Sequence, residues 1–431
     1  MTSLEVSGNS AGLAARKTAL SILTQVLRKH RPLDSQLESL KHLPARDAGF
    51  ARALASQTLR HFGELDALIR HFVPKPLAPH KAGPTMEILL LGACELLILK
   101  VPAHAAVDAA NNLAAADGNA VHFKSLINAV LRRIAREGEA ARAGLDVVRL
   151  NTPDWLWTRW GAQYGEDVAR AIAAAHSLEA PLDIRLKQDG VVHPESEILF
   201  GLSRRVTDQS RVEELPGFTE GGWWVQDAAA TLPVLLLGDV TGKRVIDLCA
   251  APGGKTLQLA AMGAEVTSVE IDPPRAARLR ENLARVGLSA EIIESDARDF
   301  GGTAPLVLLD APCTATGTIR RHPDLPWIKS AADVMAQTAS SYDLLESAAR
   351  MVEEGGLLVF AVCSLEREEG EEQIAAFLSG HREFQHMPVE PEEIFGHGKW
   401  ISPQGDLRTL PCHLPDQGGM DGFYAAKLRR L

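Results

Sequence analysis

From residue 221 onward the chain alternates short apolar runs with amphipathic ones, an order few folds accept. "RVIDLCA" is followed by "PGGKTLQLAAM", "EVTSVEI" by "PPRAARLRENLARVG", and "SAEIIESD" comes before "PLVLLDAPC". A last amphipathic stretch at about 332–353 precedes "GGLLVFAVCS". Brief runs rich in Val, Ile and Leu read as strands, and the segments between them as helices. Such alternation predicts a doubly wound sheet. Sheets of that kind bind ligands outside the carboxyl ends of their strands. The residues that end each run therefore carry the functional information.

The N-terminal part reads differently. From residue 11 to about 143 only helical spacing appears, as in Leu20, Leu23 and Leu27, or Ile127, Val130, Leu131 and Ile134. Proline groups at "VPKPLAPHKAGP" and Pro102 punctuate it into a bundle of six or seven helices. Residues 144–220 change character again. "NTPDWLWTRWGAQYG" offers Thr152 as a helix cap with Pro153 in the first turn, and Trp155, Trp157 and Trp160 are expected to pack under the neighbouring domain. "PLDIRLK" and "SRRVTD" read as short strands. The expected organisation is an all-α domain at 1–143, a small α/β connecting subdomain at 144–220, and an α/β domain at 221–431.

Charge separates the same halves. The net charge of −10 argues against nucleic acid, but residues 1–143 hold 18 Lys and Arg against 12 acidic residues, and the remainder 27 against 43. A basic N-terminal half suits a polyanionic partner, with Arg132, Arg133 and Arg136 beside the apolar face of its last helix. No apolar run approaches the roughly 20 residues of a membrane span. The opening "MTSLEVSGNSAGLAARK" lacks the pattern of a secretion signal and reads as a flexible lead. The five cysteines are odd in number and widely spaced, with no CxxC or HExxH, so no metal is expected. A reduced, cytoplasmic protein fits, a monomer by default.

"DLCAAPGGKT", residues 247–256, places small residues and two glycines between a strand and a helix. Backbone N–H groups at such a helix start can approach a ligand closely. A Walker A loop would need glycine at 249, which is Cys249, and GxGxxG is absent. The second strand ends at Glu270, where an acid in such folds accepts ribose hydroxyls. Asp272, beside it, reads as a helix cap. The third strand leads to Asp296, a candidate acceptor for an adenine amino group. Glycine loop, ribose acid and base-side acid, in that order, suggest S-adenosylmethionine.

Two strands end in cysteine: Cys313 follows "LLDAP" and Cys363 follows "VFAV". Both belong at the carboxyl edge, facing one crevice. A thiolate is the best soft nucleophile among side chains. C5 of a pyrimidine needs that help, since it attacks a methyl sulfonium only after a nucleophile adds at C6. The C5 proton and the thioether must then both leave.

These residues match a known pattern. "DLCAAPGGKT", "DAPCTATGTIRRHPD", "CSLEREEGEEQ" and "MDGFYAAKL" resemble the RNA 5-methylcytosine methyltransferases of the NOP2/Sun group. "ARDAGFARALASQTLR" and "FKSLINAVLRRIARE" resemble a NusB-type RNA-binding domain. The pairing resembles the small-subunit ribosomal RNA branch of that group. The resemblance implies a Rossmann-like methyltransferase domain using S-adenosylmethionine to methylate C5 of a cytosine in 16S ribosomal RNA, cytosine-967 in the family's named reaction. It implies Cys363 as nucleophile, Cys313 in product release, Asp310 at the cytosine, and Lys255 in the same pocket. Cys249, Ala250, Ala251, Pro252, Gly253, Gly254, Lys255, Glu270, Asp296 and Asp310 would bind the cofactor.

The chain departs from the family pattern at Val362 (usually Thr), Thr314 (commonly Ser), Gly370 (often Asn) and Glu270 (commonly Asp). Base flipping or a loop substrate is needed to expose C5 and C6. Arg320, Arg321 and His322 are candidate RNA contacts near Cys313. Two other readings stay open: a 5-methylcytosine methyltransferase for transfer RNA or another RNA, and a non-catalytic RNA-binding assembly factor. Cys94 is expected in the core, and Cys412 has no assigned role.

Overall fold

The computed structural model describes residues 11–431 except 74, 76, 78 and 209. The first ten residues of the expected lead lie outside the described residues, and a helix begins at Ala11. The chain forms two compact units. One comprises the residues up to 178 together with 321–330, and the other comprises 179–320 and 331–431.

The first unit is helical. Its longer helices up to residue 143 are Ala11–Lys29, Ala45–Arg60, Phe62–Phe72, Thr85–Leu97, Ala103–Ala115 and Lys124–Ala143, with Leu33–Gln36 and Pro79–Ala82 as single turns. The helical spacing of the sequence marks the core: Leu23, Ile127, Leu131 and Ile134 are fully buried, as is Cys94. Gly92 permits close packing, since a Cβ there would lie 2.7 Å from a Leu131 methyl. Helices Asp154–Tyr164 and Glu166–His176 join this unit. Trp160 packs there against the ring of His176, 5.5 Å away, and the Trp157 ring is covered by Arg149 and Arg170. The tryptophans thus serve their own unit. Thr152 does not cap: its hydroxyl turns back to the Val148 carbonyl, and Pro153 takes the cap position.

The second unit holds two sheets. The smaller is antiparallel, β1 (Asp183–Leu186), β2 (Ser196–Phe200), β3 (Ser203–Val206) and β4 (Trp223–Val225), in the order β2-β3-β1-β4. The larger contains β5 (Arg244–Leu248), β6 (Glu265–Glu270), β7 (Glu291–Glu294), β8 (Ala304–Asp310), β9 (Val352–Val362), β10 (Phe384–Met387), β11 (Leu407–Thr409) and β12 (Phe423–Arg430). Its order is β10-β12-β9-β8-β5-β6-β7, with β11 on β12. Strands β5 to β9 are parallel where they pair, and β12 lies antiparallel to β9. Both faces of the centre are covered, so Leu248, Val307, Leu308, Leu309, Val359 and Phe360 are fully buried. This is the expected Rossmann-like α/β domain.

The chain leaves β5 toward β6 and β7, then returns to β8 on the other side of β5. That reversal opens a crevice at the carboxyl ends of β5 and β8. The registers align the strand ends there: Leu248 lies opposite Val269 and Leu309, and Asp310 opposite Ala361.

Candidate active site

The loop after β5 is held open by backbone conformation and by side chains from elsewhere. Cys249 and Gly253 have φ of 58° and 109°, in the left-handed region. A Cβ on Gly253 would lie 2.3 Å from a Leu279 methyl, so glycine is required. The helix Gly254–Ala261 starts directly behind it. Arg275 donates to the Ala251 carbonyl, and Asn282 to that of Pro252 at 2.9 Å. Both donors come from the helix Pro273–Val286, which Asp272 caps as expected by accepting from the Arg275 N–H.

Glu270, 1% exposed, accepts from Ala251 N at 3.1 Å and Asp272 N at 3.0 Å. Next to it Ile271 stands 61% exposed, an apolar surface with no core to join. The Asp247 carboxyl is fully buried and accepts from Thr256 Oγ1 at 2.6 Å, while its Oδ1 has no hydrogen-bond partner. Burial pushes its pKa up to about 7. An acid at a strand end, an orphaned buried oxygen, a glycine cradle at a helix start and an exposed apolar side chain fit a cofactor with a ribose, an ammonium and a flat base. Asp247, Ile271 and Arg275 add to the residues expected from sequence. Asp247 opens the "DLCAAPGGKT" stretch, which was the available signal. Asp296 lies after β7, with its oxygens held by Arg298 at 2.5 to 3.0 Å, and that contact holds its pKa down.

Beyond β8, Lys255 Nζ lies 2.7 Å from Asp310 Oδ2 and 5.1 Å from the Phe423 ring centre. The two thiols meet: Cys313 Sγ and Cys363 Sγ are 3.5 Å apart. Strand pairing carries both loops to this point, because Ala311 N donates to the Ala361 carbonyl at 2.8 Å and Gly317 N to that of Cys363 at 3.0 Å. A Cβ on Gly317 would lie 2.9 Å from the Cys363 carbonyl oxygen and 2.0 Å from that of Gly422. The Cys313 thiol is held well above its ordinary pKa, first by its hydrogen bond to Cys363 and then by burial. Burial pushes the Cys249 thiol up to about 12, which removes it as a nucleophile.

Gly370 departs from the family's Asn next to a crowded corner. A Cβ there would lie 2.8 Å from Arg408 Nη2 and 3.0 Å from the Tyr424 ring. Two of the expected RNA contacts after Cys313 have partners within the protein. Arg320 is 2% exposed and faces Asp421 and the Gly418 carbonyl, while His322 lies 3.3 Å from Asp34 within the helical unit. Among the described residues no group of His, Cys, Asp and Glu is arranged to hold a metal, and no helix is long and apolar enough to cross a membrane.

Comparison with known proteins agrees with this geometry. Residues 234–429 match the family described as "16S rRNA methyltransferase RsmB/F", and residues 13–136 match the "NusB family". The curated "Ribosomal RNA small subunit methyltransferase B" of Pseudomonas putida is 35% identical over 447 residues, covering 97% of this chain and 98% of that one. Its counterpart in Pasteurella multocida is 32% identical, covering 97% and 96%. The crystal structure titled PH0851 shares the fold over 100% of both chains, at a TM-score of 0.77 and 23% identity. "NSun6 from Pyrococcus horikoshii with SFG" aligns at a TM-score of 0.53 and 19% identity, over 64% of this chain and 98% of that one. A methyltransferase crevice with paired thiols, a NusB-type helical part and near-full-length relatives lead to one conclusion: the chain belongs to the ribosomal RNA small subunit methyltransferase B family of S-adenosylmethionine-dependent RNA methyltransferases.

Proposed function

We propose that the protein methylates C5 of a cytosine in 16S ribosomal RNA, cytosine-967 in the family's named reaction, through a covalent Cys363–C6 adduct. The observation that carries this reading is the Cys313–Cys363 pair, 3.5 Å between sulfurs, beside the Lys255–Asp310 ion pair. Methylation of a hydroxyl, an amide or an exocyclic amine needs no thiol, so two at one crevice point to a carbon acceptor.

Each residue has a defined task. Cys363 adds to C6, and the π electrons of C5=C6 move toward N3. Asp310 relays the proton that Cys363 gives up to N3, where those electrons arrive, and Lys255 holds its carboxylate in place. S-adenosylmethionine supplies the electrophilic methyl group when bound, which C5 then takes up. Cys313 assists release, in which the C5 proton passes to water, the Cys363–C6 bond breaks to restore C5=C6, and N3 returns its proton to Cys363. Loop 249–254, Glu270, Asp296 and Asp310 hold the cofactor, and Ile271 supports its base. The basic N-terminal half supplies phosphate contacts, so binding weakens with salt.

The test uses labelled S-adenosylmethionine with unmethylated 16S RNA, and transfer RNA in parallel. One labelled cytosine in 16S RNA, lost in Cys363→Ala, is expected. Label confined to transfer RNA would keep the chemistry and refute the substrate. Undiminished labelling by Cys363→Ala would refute the covalent route.

A further inference from the structure

Glu369 is fully buried, in a 3₁₀ turn six residues beyond Cys363. Its Oε1 accepts from the Thr314 N–H at 2.8 Å. Its Oε2 accepts from the Thr314 hydroxyl at 2.6 Å and from the Ser364 hydroxyl at 2.5 Å. Thr314 directly follows Cys313, and Ser364 directly follows Cys363. One carboxylate thus grips the neighbour of each site thiol. The Ser364 hydroxyl also accepts from Glu366 N at 3.0 Å, and its carbonyl accepts from Arg408 Nη1 at 2.5 Å. Arg408 is itself fixed by Glu371, at 3.1 and 2.6 Å. Thr316 Oγ1 adds a second tie, accepting from Leu365 N at 3.0 Å.

A carboxylate buried at this depth is an expensive way to gain stability, since removing it from water costs several kcal/mol. Both its oxygens are taken up by Thr314 and Ser364. What it connects is the two loops that leave β8 and β9, which are joined through their backbones by the Gly317 N–H donating to the Cys363 carbonyl at 3.0 Å. A thiol sits on each loop, and the two sulfurs lie 3.5 Å apart. We propose that Glu369 is a positioning residue that sets the spacing of Cys313 and Cys363 by clamping Thr314 and Ser364 onto one carboxylate. The same geometry accounts for Thr314 in place of the family's Ser. The clamp needs a hydroxyl at that position, and either residue provides one. Thr314, Ser364 and Glu369 are each fully buried, so the clamp is built in rather than formed on binding.

The role matters for catalysis because this proposal rests on the two thiols acting in turn on one ring. Its direct test does not depend on that reading. Diamide oxidises a close thiol pair: two S–H bonds break, one S–S bond forms, and both hydrogens pass to the N=N of diamide. In the wild-type protein a Cys313–Cys363 disulfide is expected, read by peptide mass as a loss of two hydrogens. Glu369→Ala should form it about tenfold more slowly, and turnover should fall by about tenfold or more while KM for S-adenosylmethionine moves less than about twofold. Glu369→Gln should oxidise near the wild-type rate, because its oxygen still accepts from Thr314 N and both hydroxyls can turn to accept from its amide. If Glu369→Ala fails to fold by circular dichroism, Thr314→Val, which removes only a hydroxyl, carries the test and should also slow oxidation. Folded variants that oxidise as fast as wild type would overturn the proposal. Slowed oxidation in the variants, with a wild-type protein that forms no adduct with 5-fluorocytosine RNA, would support the clamp and refute the covalent route.

Discussion

Lys255 and Asp310 form an ion pair at 2.7 Å whose halves are unequally buried, 9% and 31% exposed at the side chain. The asymmetry predicts unequal consequences of breaking it. Asp310→Ala strands an ammonium beside the Phe423 ring, and a buried unpaired charge costs about 3 kcal/mol or more. Lys255→Met keeps the stem packed and leaves a carboxylate that water can reach, which should cost about 1 kcal/mol or less. Urea titration of both variants measures the difference, and equal losses would refute it. Both variants should also lose turnover by about 10²-fold, because a positioned charge at the base is removed in each.

The thiols should separate by readout. Cys363→Ala should form no adduct with RNA, whereas Cys313→Ala should accumulate one that survives denaturing electrophoresis. The basis is the separation of roles proposed above, attack by Cys363 and release assisted by Cys313. Adduct accumulation in Cys363→Ala instead would reverse the two assignments.

Asp247 predicts a pH dependence of stability. Burial raises its pKa from 3.8 to about 7, so between those values the folded protein binds a proton that the unfolded chain has released. Stability from this group is therefore full below about pH 4 and falls as pH rises toward 7. Asp247→Asn removes the titration and keeps a partner for Thr256. Its stability relative to wild type should rise with pH across that window, by at most about 1.4 kcal/mol per unit. Thermal unfolding of both proteins at pH 5 and 7 checks this, and a difference that shrinks toward pH 7 would show the sign to be wrong. The variant should also bind S-adenosylmethionine more weakly, since the orphaned oxygen is replaced.

The catalytic edge was legible in sequence because parallel strands buried on both faces read as continuous apolar runs, and each ends on or just before the residue that matters: Leu248 before Cys249, Glu270, Asp310, and Val362 before Cys363. Glu369 was not legible. It sits in "EREEGEEQ", where five glutamates read as a solvated face, and only the fold turns one of them inward. Arg320 failed in the opposite direction. A basic pair after a turn reads as surface, yet Asp421, a hundred residues on, draws the first of the pair into the interior. Pairings between distant loops leave no periodicity, so pattern reading misses both.

The segment 321–330 lies in sequence inside the expected catalytic domain, but it folds with the helical unit. Asp324, 2% exposed, accepts from the Leu33 N–H at 2.8 Å. Trp327 donates its indole N–H to the Leu59 carbonyl at 2.9 Å and lies 4.7 Å from the Phe62 ring. Leu33 begins its short helix with Pro32 as a cap that offers no side-chain acceptor, so Asp324 is what satisfies this donor. Asp324→Ala should therefore leave a buried N–H unpaired, at a cost of about 1–3 kcal/mol, and Trp327→Ala should open a hole beside Phe62 at a similar cost. In the full-length protein the Leu33 amide should exchange with solvent faster in Asp324→Ala, while S-adenosylmethionine affinity stays within about twofold because the cofactor loop lies in the other unit. Unchanged exchange at Leu33 would mean that the contact does not hold the helix start. Lost cofactor affinity in a folded variant would mean that the segment acts on the catalytic unit rather than on the helices it joins.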